Sequence, residues 1–506
     1  MNAFRCPVLI FTITLACCFH SSAAADTKVR PNIILYITDD ISASDYGCYG
    51  SKVVKTPHID QLAGEGMLFE RAYLTTSSCS PTRCSIITAR YPHNTGACEL
   101  HTPLPPDQYM FPLDLKDSGY YTVLAGKNHM GPATKKAFDV IVGGKGPGAQ
   151  ENWVRLLKDR PSDKPFFCWF ASYDAHRGWA IDDKAPVYDP DDVDVPPFLF
   201  DGPKTRKDLA NYYHEVSRTD YYVGELRREL QRQGIEKNTY IIYISDNGRP
   251  FPRCKTRLYD SGIRTPFVVS GPNVAKGTKT RSFVSVIDIG PTVLELAGVK
   301  ADPRMQGVSF SAVLSDPEAV VRDYVFAEHN WHVFQAHERM VRTGNWLYIR
   351  NAFPERLNTC VEARRYPAAV ELWDQYRKGN LKPEQMDVMQ APRAAEELYN
   401  VAEDPYQFHN LASSPEQAAT LERLRGVLDM WATQTRDDVP HTPTPDRPPG
   451  GKVGHQPGGV MPGIASGAPH CNDPGPVLNT ETGRGHDPRS GVPADRTQNG
   501  KRREIE

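Results

Sequence analysis

Four short apolar runs break off into polar clusters, and this layout limits what the chain can fold into more than any other feature. Residues 31–38 end at Asp39-Asp40, and Tyr121–Gly126 leads to Lys127-Asn128-His129. Residues 165–171 precede Asp174-Ala175-His176, and residues 240–245 precede Asp246-Asn247-Gly248. Continuous β-rich apolar runs are what strands buried on both faces look like, as in a parallel sheet. In open α/β sheets, ligands bind outside the carboxyl ends of the strands. Helical stretches fit between the runs. Residues 209–233 are amphipathic with Leu226 and Leu230 four apart, and residues 292–297 follow Pro291 and stop near Gly298. Strands alternating with helices give an α/β class.

At 506 residues the chain exceeds one ordinary domain. We expect a large catalytic domain over residues 26–318 and a smaller subdomain over 319–436. The smaller one would be built from strands at 324–327 and 346–349 and a helix at 415–433. Residues 437–506 turn rich in Pro, Gly and polar side chains and end in a charged run, the composition of a disordered tail. Residues 1–25 read as an export signal: Arg5, an apolar stretch over 7–18, then Ala23-Ala24-Ala25. That places the mature protein outside the cytoplasm, secreted or periplasmic. No other long apolar run exists, so no membrane span is expected. The 59 basic and 61 acidic residues give a net charge of −2, which excludes a global field for nucleic acid. Of 11 cysteines, three fall in the leader. The remaining spacings do not suggest zinc, and pairing cannot be read from them.

The run Cys79-Ser80-Pro81-Thr82-Arg83 places a cysteine just before a helix, with Ser80 suited to an N-cap and Pro81 to the first helical position. Cys79 would then sit at a positive helix end, with Arg83 one turn on as a forked cation. Asp39, Asp40, Asp246 and Asn247 are hard oxygen ligands at two strand ends, a set that suits Ca²⁺ or Mg²⁺. Taken singly, each pair reads as a cap or turn. Lys127, His129, His176 and Lys255 each have a bland reading too, as surface or core residues. Their chemistry depends on sharing one rim with Cys79 and the acids.

The whole pattern is more specific. Cys-x-Pro-x-Arg followed by Thr88-Ala89-Arg90 resembles the signature of type I sulfatases, with alanine where that family has glycine. Thr38-Asp39-Asp40, Gly126-Lys127-Asn128-His129, Asp174-Ala175-His176-Arg177 and Ser245-Asp246-Asn247-Gly248 follow the family's order. The stretches 126–132, 188–198 and 245–252 look most like the heparan N-sulfatases. The resemblance spans residues 31–436. It implies an alkaline-phosphatase-like α/β fold, a large mostly parallel sheet flanked by helices, with a smaller C-terminal α+β subdomain. It also implies oxidation of Cys79 to formylglycine by a formylglycine-generating enzyme. One Ca²⁺ would be held by Asp39, Asp40, Asp246, Asn247 and the modified residue 79. The hydrated aldehyde would attack sulfur to give a sulfated enzyme. Arg83, Lys127 and Lys255 would offset sulfate charge, His176 would serve the leaving atom, and His129 would take the proton that expels sulfate. The substrate would be a sulfated saccharide. His329, His332, Arg342 and His101 are candidates to contact its sugar. Lys255 stands where sulfamidases resemble an arginine site, which keeps O-sulfatase action on another polysaccharide, such as an algal one, in play. Two other readings are a phosphatase or phosphodiesterase of the related superfold and an inactive sulfated-glycan binder.

Overall fold

The computed structural model describes residues 30–447 apart from residue 358, and the expected leader at 1–25 lies outside the described residues. Eight strands pair in the order Val140–Val142, Tyr121–Gly126, Phe166–Ala171, Asn32–Thr38, Thr239–Ser245, Phe267–Ser270, Met67–Phe69, Thr278–Thr280. All neighbours run parallel except around Phe267–Ser270, which is antiparallel to both of its partners. Along the Asn32–Thr38 strand, Ile33, Leu35 and Ile37 face one apolar layer, while Ile34 and Tyr36 face the other. The period-2 geometry of a strand therefore feeds two cores, which is why the run reads as continuously apolar.

The helices Cys79–Thr88 and Ile289–Leu296 cover the first face through Ile86, Ile87, Val293 and Leu294. Pro203–Arg232 and Pro57–Glu65 cover the second through Leu209, Val216, Ile59 and Leu62. Each such fully buried aliphatic side chain contributes about 1.5–3 kcal/mol of transfer free energy. The result is the expected three-layer α/β architecture. A second sheet of four antiparallel strands follows: Val325–His329, Glu338–Thr343, Trp346–Asn351 and Glu396–Asn400. The helix Ala418–Thr435 packs on it with Leu424, Leu428 and Trp431, the last stacked on Phe326 at 5.2 Å.

One expectation changes. The helix begins at Cys79 itself with Ser78 as N-cap, so Cys79 is the first helical residue and Pro81 sits within the first turn. Residues 437–447 make polar contacts with the rest of the chain. Asp437 pairs with Arg339, Thr444 donates to both oxygens of Glu99 at 2.8 Å, and Trp331 Nε1 donates to the carbonyl of Pro445 at 2.9 Å. These polar anchors hold a segment whose composition alone could not. Residues 448–506 lie outside the described residues. The seven described cysteines are all unpaired. Among the described residues no helix is long and apolar enough to cross a membrane.

Candidate active site

Strand register assembles the site. Ile37 lies opposite Ala171, Thr38 opposite Ser245, and Gly126 opposite Ala171, so four carboxyl ends finish level with one another. The polar clusters that follow them meet above the sheet. Asp39, Asp40 and Asp246 bring carboxylate oxygens within 4.8 Å of one another, all buried. Asn247 Nδ2 donates to Asp40 at 2.9 Å and to Asp246 at 2.7 Å. Arg83 is wholly buried; its Nε donates to Asp246 Oδ2 at 2.7 Å and its Nη1 to the Lys127 carbonyl at 3.1 Å. Lys127 Nζ is paired with Asp39, and Lys255 Nζ lies 2.7 Å from Asp40.

Three buried acids side by side cannot all stay charged without compensation. Burial pushes Asp40 and Asp246 up, Lys255 and Arg83 respectively opposing it. Burial would raise Asp39 too, but Lys127, His176 and Arg83 outweigh it and hold it down. Two buried acceptors, Asp39 Oδ1 and Asn247 Oδ1, have no hydrogen-bond partner. An all-oxygen set of three carboxylates and an amide, with acceptors to spare, fits a hard divalent cation.

Cys79 lies 3% exposed at the helix start beside this set, and packs against Leu100, Trp331 and Val333. Burial pushes its thiol up to about 11, with Lys127 and Lys255 only partly offsetting this. At neutral pH the group is an S–H, a poor nucleophile. At the other end of the helix Ala89 is left-handed, φ 55°, which is where the family signature carries glycine. Asp40, His101 and His129 also have left-handed backbones, at φ 59°, 67° and 56°. Strain of this kind persists where surrounding structure fixes it.

His129 Nε2 is 2.6 Å from His101 Nδ1, and its own Nδ1 is buried without a partner. Burial, then Lys127 and His101, push it well down, so the ring is neutral. His176 uses Nδ1 on the carbonyl of Arg177 and thus presents Nε2 to the site. Burial, Lys255 and Lys127 lower it to about 4. Of the sugar-contact candidates, His101 reaches the site through His129, and His332 through Ser78 Oγ at 2.7 Å. His329 turns instead to Glu338, 3.1 Å away, in a buried cross-strand pair. Arg342 is held elsewhere, away from these groups. It sits four residues along the strand from Glu338, about 13 Å at strand rise, and donates to the carbonyls of Gly344 and Trp346. Its guanidinium lies 5.9 Å from the ring centres of both Tyr73 and Phe283.

One residue had escaped the sequence reading. Glu362, from an irregular stretch of the smaller subdomain, places Oε1 3.3 Å from Lys255 Nζ. Its signal was invisible because no periodicity or strand end marks residues 360–366.

Acids and fixed cations thus converge at the carboxyl ends of an α/β sheet, where ligands of such folds bind. Residues 31–150 and 150–299 match the Sulfatase family model, and residues 254–360 match the model for the C-terminal part of N-sulphoglucosamine sulphohydrolase. The chain belongs to the sulfatase family and is a sulfuric ester hydrolase. It is 29% identical over 494 residues to the N-sulphoglucosamine sulphohydrolase of Homo sapiens, covering 83% of this chain and 94% of that protein. It is 30% identical over 427 residues to an ulvan-active sulfatase of Formosa agariphila, covering 80% of each. A structure solved with its substrate D-glucosamine-2-N,6-O-disulfate matches with a TM-score of 0.63 at 19% identity, over 81% of this chain and 99% of that one. A phosphonate monoester hydrolase of Agrobacterium radiobacter matches with a TM-score of 0.60 at 18% identity, over 80% and 96%. At such identities the likeness is one of fold.

Proposed function

We propose that this sulfatase is an exported, formylglycine-dependent and Ca²⁺-dependent enzyme. Its substrate is a sulfated saccharide, foremost an N-sulfated glucosamine of the heparan type. The observation that carries the reading is Cys79, a buried thiol seated at a helix start beside three cations and three acids. Oxidised to formylglycine by its maturation enzyme, residue 79 supplies a hydrated aldehyde as nucleophile, and Ca²⁺ supplies positive charge beside it. Asp39, Asp40, Asp246 and Asn247 are the residues that would hold the ion. Arg83 fixes Asp246 in place by the Nε hydrogen bond and the close ion pair of Nη2 with the same oxygen. With Asp39 and Asp40 committed to the ion, Lys127 and Lys255 turn their charge to the sulfate oxygens.

His129 is neutral and has an open Nδ1, so it can take the proton whose loss lets the aldehyde re-form. His176 is neutral in the free protein. The incoming sulfate's negative charge favours its protonated form, which then donates from Nε2 to the leaving atom. His101 and His332 line the approach and are our candidates for the sugar.

A second reading, an O-sulfatase on another polysaccharide, is favoured by the likeness to the ulvan-active sulfatase and by lysine at position 255. A sulfate-release screen over matched N- and O-sulfated saccharides separates the two. Preference for N-sulfated glucosamine supports the first, preference for O-sulfated algal glycans the second, and no release from any of them contradicts both.

A further inference from the structure

Glu362 is the one acid at the site that the catalytic reading leaves unused. Its backbone is tied down on both sides. Cys360 Sγ donates to the Lys255 carbonyl at 3.8 Å, and Trp373 Nε1 donates to the Ala363 carbonyl at 2.8 Å. The side chain is only 9% exposed, with Oε1 3.3 Å from Lys255 Nζ and Oε2 buried without a hydrogen-bond partner. Ligand atoms of Glu362, Asp40 and His176 lie within 4.8 Å of one another. That trio resembles a metal set, but the Lys255 ammonium, 2.7 Å from Asp40, already fills the cation position between the two acids. Burial would raise Glu362, yet Lys255, His332 and His176 outweigh it and hold it at about 2, so it is ionised.

A buried anionic acceptor with one oxygen unused is costly unless a ligand supplies a donor. The sulfate cannot, because like charges repel. The donor must come from the other side of the scissile bond, where His176, whose ring lies beside Glu362, serves the leaving atom. We propose that Glu362 is a specificity-determining residue whose free oxygen accepts a hydrogen bond from the leaving atom and so favours nitrogen over oxygen there. The inference rests on the proposed function and deepens it. A sulfamate nitrogen carries a hydrogen to donate, whereas an ester oxygen carries none and turns lone pairs toward the carboxylate. Hydrolysis of a sulfamate breaks the N–S bond, puts the water oxygen on sulfur and both water hydrogens on nitrogen. The products are sulfate and an ammonium, and the ammonium is left beside Glu362 as a charge-assisted partner. An ester would leave a neutral hydroxyl.

The test is direct binding by calorimetry at pH 7 to the full-length, Ca²⁺-loaded protein, with glucosamine and glucose as the probes. The wild type should bind glucosamine at least about tenfold more tightly than glucose. Glu362→Gln should lose that preference and Glu362→Asp should keep part of it. In parallel, the ratio of kcat/KM for N- over O-sulfated glucosamine should fall about tenfold in Glu362→Gln, through KM on the N-sulfated sugar. A wild-type preference below about threefold, including no measurable binding of either sugar, overturns the assignment, and so does a preference that survives in Glu362→Gln. The wild-type comparison stands even if the variants do not fold. Failure of the proposed function shows separately, as a wild type that releases sulfate from no saccharide. A wild type that releases sulfate but shows no amine preference removes only the role of Glu362.

Discussion

Replacing Arg83 by methionine takes the central cation out of the site while keeping an unbranched, apolar side chain in its place. Arg83 is fully buried, with Nε and Nη2 both 2.7 Å from Asp246 Oδ2, Nη1 3.1 Å from the Lys127 carbonyl, and Nη2 4.0 Å from Asp39. Its loss leaves Asp246 with the Asn247 amide and a backbone amide, and leaves the Lys127 carbonyl without that donor. Breaking a buried pair from one side costs about 3–5 kcal/mol. Burial already pushes Asp246 up, so it takes a proton rather than remain an unpaired anion, which keeps the cost near the lower end, about 3 kcal/mol. Arg83→Lys keeps the charge but not the fork, and should lose about 1.5–3 kcal/mol. Sulfate release should fall about 10–10²-fold in Arg83→Met, the scale seen when a group that orients a metal ligand is removed. Urea unfolding of the purified variants gives the stabilities, and sulfate release from one saccharide gives the rates. The reasoning is refuted if Arg83→Met is within about 1 kcal/mol of the wild type, or if its rate stays within about tenfold.

Chelation should lower the melting temperature, and free Ca²⁺ at a hundred times its Kd should restore about 2.7 kcal/mol. A melting curve indifferent to both contradicts the metal reading of Asp39, Asp40, Asp246 and Asn247. Away from the site, burial pushes Asp220 up to about 7, although it accepts from the backbone N–H of Ile59 at 2.7 Å. The folded state therefore binds the proton more tightly than the unfolded chain, so this residue's contribution falls as pH rises from about 4 to 7. Asp220→Asn removes that slope, and its stability relative to the wild type should grow by up to about 4 kcal/mol between those limits. Denaturant curves at pH 4.5 and 7.5 check this, and a pH-independent difference refutes it. Cys79→Ala should abolish sulfate release while leaving the unfolding curve near that of the wild type, because the thiol packs without anchoring other groups. A variant that keeps its activity contradicts the assignment of residue 79.

Much of the site was legible because parallel strands carry their chemistry at one end. Asp39, Lys127, His176 and Asp246 each follow a buried apolar run, and one register brings them level. The antiparallel second sheet offered no such guide. His329 and Arg342 were candidates by residue type alone. The pairing of His329 with Glu338 at one end of the strand, and of Arg342 with Val325 at the other, is fixed by a register that the sequence does not display. Glu362 was missed for a related reason: its contact with Lys255 spans more than a hundred residues of chain and comes from an irregular turn. The contacts of residues 437–447 are equally hidden from composition, which weighs apolar burial, because Asp437 and Thr444 are held by an ion pair and hydrogen bonds.

The central claim is that Cys79 is a precursor of the nucleophile and not the nucleophile itself. Mass spectrometry of the tryptic peptide 72–83 from sulfate-releasing enzyme tests it most directly. The account predicts a peptide in which the Cys79 thiol has been replaced by an aldehyde, in proportion to specific activity. A fully active enzyme whose residue 79 is still an intact thiol would contradict it.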